Sequence, residues 1–249
     1  MRNTEVFYRG PSAMNPTITI RGVVTYRSNN HQTGDIPQTS YLVDDVSPQE
    51  AINTGADAAV CGYCIRRRGV KVVGTSGCYV IPFRAPRSVW ASTNGVEANL
   101  EAMLDTLRWL RKRTGRLTLR FGAYGDPSSV PAHIHQALLS VVDTPLSYTH
   151  AWRDASWLKA STMASVESLE EAAEAQAMGW RTFRAVRLMD PAPDKSKLEV
   201  WCPTALRPEV TCATCHQCNG ADGLSKRSYC APEHGQGLTK HGALERRAH

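Results

Sequence analysis

Cysteines at close spacing carry the clearest chemical signal in this 249-residue chain. Cys202, Cys212, Cys215 and Cys218 follow the pattern C-x9-C-x2-C-x2-C, four thiols within seventeen residues rich in Pro, Thr and Gly. Two overlapping C-x2-C hooks bring thiolates to one point without straining the backbone. Soft thiolates select zinc or iron–sulfur clusters over hard cations. The same four side chains suit the opening of a ferredoxin-type run or a tetrahedral zinc site, so the metal stays open between an iron–sulfur cluster and Zn2+. His216 inside the hook is a substitute ligand or a bystander, and Cys230 and His234 are late ligands or plain tail residues.

A second group comprises Cys61, Cys64 and Cys78, spaced C-x2-C-x13-C around an Arg66-Arg67-Arg68 run. Three thiolates with one open position are what a reactive metal centre needs, because the fourth place must accept water, substrate or cofactor. A fourth ligand, from Cys230 or a histidine, would instead close an inert zinc site. The arginine run reads as a solvated face or as a contact to phosphate or carboxylate.

Composition sets outer limits. The length allows one large α/β domain or two small ones. A formal charge of +6 and a pI near 9.0 suit an anionic partner such as a nucleotide or nucleic acid. No stretch approaches the roughly 18–20 apolar residues of a membrane span, and the first residues have no apolar signal core. The expectation is a cytoplasmic protein with no membrane partner, in a reducing compartment that favours metal over disulfide.

Regular elements must hold these groups. Residues 1–16 read as a loose leader. Strands are expected at 17–26, 38–43, 116–121, 146–150, 159–164, 180–186 and 197–201. One helix opens with Ser47 as cap and Pro48 at its first position. Another runs over 96–114 and ends in Arg111, Lys112 and Arg113 before Gly115. A third runs from Ser129 and Pro131 through Val142, and a fourth from the Ser168/Glu171 capping box to Met178 and Gly179.

This alternation predicts an α/β fold: a small or incomplete β/α barrel with a mostly parallel sheet over residues 17–201. A Cys-rich metal-binding segment and polar tail would follow over 202–249. Neither a Gly-x-Gly-x-x-Gly turn nor a Gly-x4-Gly-Lys-Ser/Thr loop is present, which disfavours nucleoside triphosphate hydrolysis.

In parallel β/α folds the site gathers at the carboxyl ends of strands. Asp45, Tyr124, Asp126, His150, Arg153, Ser165, Glu167, Asp190 and Cys202 all fall at or just past expected strand ends. Among them Asp126, Tyr124, His150 and Arg153 are the catalytic candidates. Asp126, between Gly125 and Pro127, is a fixed carboxylate for base work or a turn residue satisfying its own backbone. His150 titrates near neutrality, binds metal or is structural. Arg181 and Arg184, three apart on a strand, should point to opposite faces, with solvent exposure the default for both.

The series Asn30-His-Gln-Thr-Gly-Asp35, Cys61-x2-Cys64, Gly77-Cys78-Tyr79-Val80, Phe121-Gly-Ala-Tyr-Gly-Asp-Pro127 and Cys202-Pro to Cys218 resembles phage- and plasmid-encoded cysteine-motif β/α proteins. The resemblance covers about residues 25–220. Those proteins look distantly similar to radical S-adenosylmethionine enzymes. It implies that Cys61, Cys64 and Cys78 hold a four-iron four-sulfur cluster whose open iron binds S-adenosylmethionine. Gly125, Asp126 and Pro127 would contact the amino group of that cofactor, and the later cysteines would form an auxiliary cluster. This chain has C-x2-C-x13-C where that superfamily usually has C-x3-C-x2-C.

Three functions follow as expectations. The first is a metal-cluster enzyme of radical type acting on a nucleotide or nucleic acid. The second is a zinc-stapled nucleic-acid-binding protein without catalysis. The third is a zinc-containing base-exchange enzyme similar to queuine-type transglycosylases, with Asp126 and Asp45 as its aspartates.

Overall fold

The computed structural model describes residues 3–28, 30–67, 78–187, 190–193, 199–223 and 225–233. His234, Arg68 and residues 197–198 of the last expected strand lie outside them. The chain divides into a first unit (Met1–Asn29 and Asp35–Pro145) and a second (Asn30–Gly34 and Leu146–His249). The division thus falls at residue 145, not at the expected boundary of 201.

The first unit begins with β1 (Thr4–Pro11), β2 (Thr19–Thr25) and β3 (Gln38–Val43). Helices α1 (Pro48–Thr54), α2 (Ala58–Cys61), α3 (Ala85–Ser92) and α4 (Leu100–Thr114) follow. Then come β4 (Thr118–Tyr124), a 3-10 turn at Pro127–Ser129, α5 (Ala132–Leu139) and, at the boundary, β5 (Thr144–Leu146). The sheet order is β1-β2-β3-β4-β5. β1–β2 and β2–β3 are antiparallel, whereas β3–β4 is parallel. The segment carrying α1–α4 supplies the long crossover that a parallel return of β4 needs, whereas among the described residues the links before β2 and β3 carry no helix.

Residues 4–11, read from sequence within a loose leader, are therefore a paired strand. A register shift between Val6 and Tyr8 obscured it, since Val6 and Phe7 are both buried and simple alternation is lost. Phe7 lies over Gly22, where any Cβ would come within 2.5 Å of the ring.

Helix α4 starts later than expected because Asn99 caps it, accepting from the Ala102 N–H at 2.9 Å. It buries Met103, Leu104 and Leu107, one helical stripe, against the sheet side chains Leu119 and Phe121 in the same core. Each such side chain contributes about 1.5–3 kcal/mol by burial. Helix α1 has the anticipated cap, Ser47 accepting from the Glu50 N–H.

The second unit contains β6 (Tyr148–Thr149), β7 (Met163–Val166), α6 (Leu169–Ala177), β8 (Thr182–Val186), β9 (Glu199–Trp201), α7 (Pro203–Leu206), α8 (Cys212–Cys215) and β10 (Ser228–Pro232). Its sheet has the order β6-β7-β8-β10-β9, and its pairs are parallel. β10 inserts between β8 and β9, so the Cys-rich stretch is the crossover from β9 to β10 and not a free tail. The strand expected at 159–164 begins later, because the Thr162 N–H still closes a turn onto the Leu158 carbonyl at 2.9 Å. Ser168 caps α6 as expected, accepting from the Glu171 N–H at 3.1 Å.

The α/β class agrees with the alternation in the sequence. Among the described residues the strands form two sheets of five in open order, not one incomplete barrel, and the mostly parallel arrangement holds only in the second. Arg181, just before β8, and Arg184, within it, have different partners, and neither is solvated, contrary to expectation: they are 5% and 1% exposed. Arg184 on β8 reaches across β10 to Glu199 on β9, its Nε and Nη2 donating to the two carboxylate oxygens at 2.9 and 2.8 Å.

Candidate metal centres

In the second unit, β9 ends at Trp201 and delivers Cys202, whose N–H donates to the Cys230 carbonyl at 2.7 Å. One helical turn, α8, carries Cys212 and Cys215, with Thr211 and Thr214 forming a capping box at its start. The N–H groups of Cys212 and Ala213 donate to the carbonyls of Gln32 and Thr33, anchoring α8 to the 30–34 turn. His216 then adopts φ 55°, the single non-glycine in the left-handed region among the described residues. This reversal brings Cys218 back toward Cys202.

The result is one small cavity, ≈ 10 Å³, lined by all four cysteines together with Tyr148, Tyr229 and His216. That is room for about one water-sized body. Cys202 and Cys218 are buried, Cys212 and Cys215 half-buried. Burial pushes the Tyr148 phenol far above its usual range, and the adjacent Cys218, Cys212 and Cys202 thiols add to the shift. Cys230, weighed as a late ligand, is a buried residue of β10 outside the cavity lining.

In the first unit, Cys61 closes α2 and Cys64 follows in a turn, its N–H donating to the Cys61 carbonyl at 3.1 Å. The Arg67 guanidinium grips the buried Asp57 carboxylate through Nε and Nη2 at 3.0 and 2.7 Å, and Nη1 reaches the Gly62 carbonyl. Arg67, half-buried, is thus a clamp on the Cys61–Cys64 loop, and Arg66 is buried, so these two are not a solvated face. The Cys61 thiol is held well above its usual range, first by burial and then by the neighbouring Cys64 and Cys78 thiols and Asp57. The same neighbours, Cys61, Asp57 and Cys78, add to the effect of burial in raising the Tyr124 phenol. The three cysteines and Tyr124 therefore share one electrostatic environment.

The turn after β4 abuts this group. Gly125 has φ 79°, and a Cβ there would lie 2.8 Å from the Tyr41 carbonyl and 3.1 Å from that of Val60. The Asp126 N–H donates to the Val60 carbonyl, next to Cys61, at 2.6 Å. The Asp126 carboxylate accepts from the Ser128 N–H and Oγ at 3.0 and 2.7 Å and is buried. It caps its own turn, which weakens both the base role and the base-exchange pairing with Asp45, an exposed residue past β3.

The other catalytic candidates fall in the second unit. His150 Nε2 stands 3.6 Å from a Glu167 oxygen. Arg153 lies over the Trp152 ring and forks onto Glu174 at 2.9 and 2.6 Å. Neither lines the thiol cavity.

The donor types and their convergence fit a thiophilic metal in both units. Ready-made ligand spacing is not present: among the described residues no three His, Cys, Asp or Glu side chains are placed to hold a metal ion as they stand. Sequence reasoning missed Tyr148, the Asp57–Arg67 clamp and the burial of Arg181, because each depends on a partner distant in the chain. Among the described residues no helix is long and apolar enough to cross a membrane. Comparison with known proteins finds no similar family model, curated protein or solved structure.

Proposed function

We propose that this chain is a metal-thiolate enzyme, iron–sulfur and radical-S-adenosylmethionine-like, that modifies a nucleotide or nucleic acid, with its reactive centre at Cys61, Cys64 and Cys78. The observation that carries the reading is the gathering of these thiols beside the Tyr124–Pro127 turn, past the carboxyl ends of the parallel neighbours β3 and β4. Sites form there in parallel α/β structures.

Arg67 engages the Asp57 carboxylate and Asp126 caps its own turn, so on this reading the donors are the three thiolates, with one coordination position open. Arg67 also holds the Cys61–Cys64 loop in shape, and the glycine at 125 lets the turn after β4 pack closely on the backbone at Val60, next to Cys61. When bound, an iron–sulfur cluster supplies one-electron chemistry at an iron with an open position. In the second unit the four cysteines suit a single tetrahedral Zn2+, because the cavity takes one small body.

A second reading, a zinc-stapled nucleic-acid-binding protein, has its own support. Tyr63, Tyr79 and Phe83, within and after the Cys61–Cys78 segment, are exposed, and Arg120 donates to the Tyr79 hydroxyl at 3.2 Å. Exposed rings with arginine beside them suit stacked bases and phosphates.

Anaerobic purification with analysis of iron, acid-labile sulfide and zinc separates the two. The enzyme reading expects a brown chain whose iron and colour are lost in the C61S/C64S/C78S variant while zinc is kept. A colourless chain carrying only zinc, with nucleic-acid binding that weakens steeply with salt and no turnover, overturns it in favour of the second.

A further inference from the structure

Two arginines three residues apart in the second unit are both buried, but their surroundings differ. Arg184 meets a carboxylate, Glu199. Among the described residues Arg181 meets neutral acceptors alone: its Nε donates to the Arg227 carbonyl at 2.9 Å, Nη1 to Asn219 Oδ1 at 2.9 Å and the Gly220 carbonyl at 2.8 Å, and Nη2 to the Gln217 carbonyl at 2.8 Å. The Tyr229 ring lies 5.9 Å from the guanidinium carbon. Among the described residues the titratable groups near enough to act on this charge are Cys218 and the cavity tyrosines, Tyr229 and Tyr148. Neutral acceptors satisfy the N–H groups of a buried cation but leave its charge unbalanced, and an unbalanced buried charge is costly.

Gln217, Asn219 and Gly220 flank Cys218 in sequence, so the guanidinium also shapes the loop that presents this thiol. Four thiolates around a divalent ion carry a net charge of about −2, the sign and place that the Arg181 charge lacks. We infer that Arg181 is the buried counter-charge and positioning residue of the four-cysteine centre, which therefore loads a divalent ion as a tetrathiolate. The inference rests on the metal reading of the second unit and adds to it the residue that sets the charge state of the site.

The test uses the full chain carrying C61S/C64S/C78S, so that the second unit alone is read. Metal-free protein, kept anaerobic, is titrated with Zn2+ alone against a chromophoric chelator, and with Co2+ for the thiolate-to-metal absorption. Arg181→Gln, which keeps polar reach and drops the charge, should weaken Zn2+ binding about 10–100-fold. Arg181→Lys, which keeps the charge and drops the fork, should recover most of that loss. Asn219→Asp places a carboxylate against Arg181 in situ. It should raise the melting temperature of the metal-free chain while weakening Zn2+ binding to a similar extent, and it does not depend on Arg181 variants folding. Unchanged affinity in Asn219→Asp, or Lys as weak as Gln, overturns the counter-charge role while leaving the metal site standing. If Zn2+ binds no better than to the same chain also carrying C212S/C215S, the metal reading itself falls, and the role of Arg181 falls with it.

Discussion

Glu199 and Arg184 form the perturbation whose size the structure lets one work out best. Both side chains are almost fully buried, at 2% and 1% exposed, and meet through two hydrogen bonds of 2.9 and 2.8 Å. Removing either partner leaves an uncompensated buried charge, which costs about 3–5 kcal/mol, whereas replacing both by apolar groups of similar volume is near neutral or stabilising. Domain stability is commonly about 5–15 kcal/mol, so a single substitution removes a large share of it. Among the described residues β9 has three residues and pairs with β10 alone. Arg184 is therefore a main tie holding the strand that delivers Cys202. Urea unfolding of Glu199→Ala, Arg184→Met and the double variant Arg184→Met/Glu199→Leu checks this. Each single variant should lose about 3–5 kcal/mol and bind Zn2+ more weakly, and the double variant should recover most of the stability. Singles within about 1 kcal/mol of the parent, or a double variant as damaged as the sum of the singles, would refute the argument.

Burial pushes His135 down to about 4 from an ordinary 6.5, so the unfolded chain takes up a proton that the folded one refuses as pH falls through that window. Stability should be unaffected by this group above about pH 6.5 and drop by about 3 kcal/mol between there and pH 4. His135→Gln should flatten that part of the pH profile in urea melts. Gly220 has φ 72°, and a Cβ there would collide with the Ala160 carbonyl, so Gly220→Ala should lower stability by at least about 1–3 kcal/mol and depress the melting temperature. Arg67→Met strands the Asp57 carboxylate in a buried position. It should cost about 3 kcal/mol in unfolding experiments and reduce the iron content of anaerobically purified protein, leaving zinc in place.

Elements governed by neighbours in sequence were legible. β3 lies at the expected 38–43, and the caps at Ser47 and Ser168 and the stop at Gly115 are short-range hydrogen bonding and backbone conformation. The C-x2-C hooks were legible for the same reason, since one helical turn or one tight turn brings such thiols together. β1 was not, because a bulge hides its alternation, and β10 was not, because Ser228–Pro232 sits in a polar, glycine-bearing stretch that resembles a tail.

Local composition determined that thiols of each group would lie near one another, and that strands and helices would alternate around them. Only tertiary structure decided that Tyr148 and Tyr229 wall the cavity that Cys202 shares with Cys212, Cys215 and Cys218, and that Arg181 and Arg184 are buried. The physical reason is range. Caps, turns and hooks are set by atoms a few residues apart. The partner of a buried charge and the wall of a cavity are set by which strands pair, and that depends on the whole chain at once.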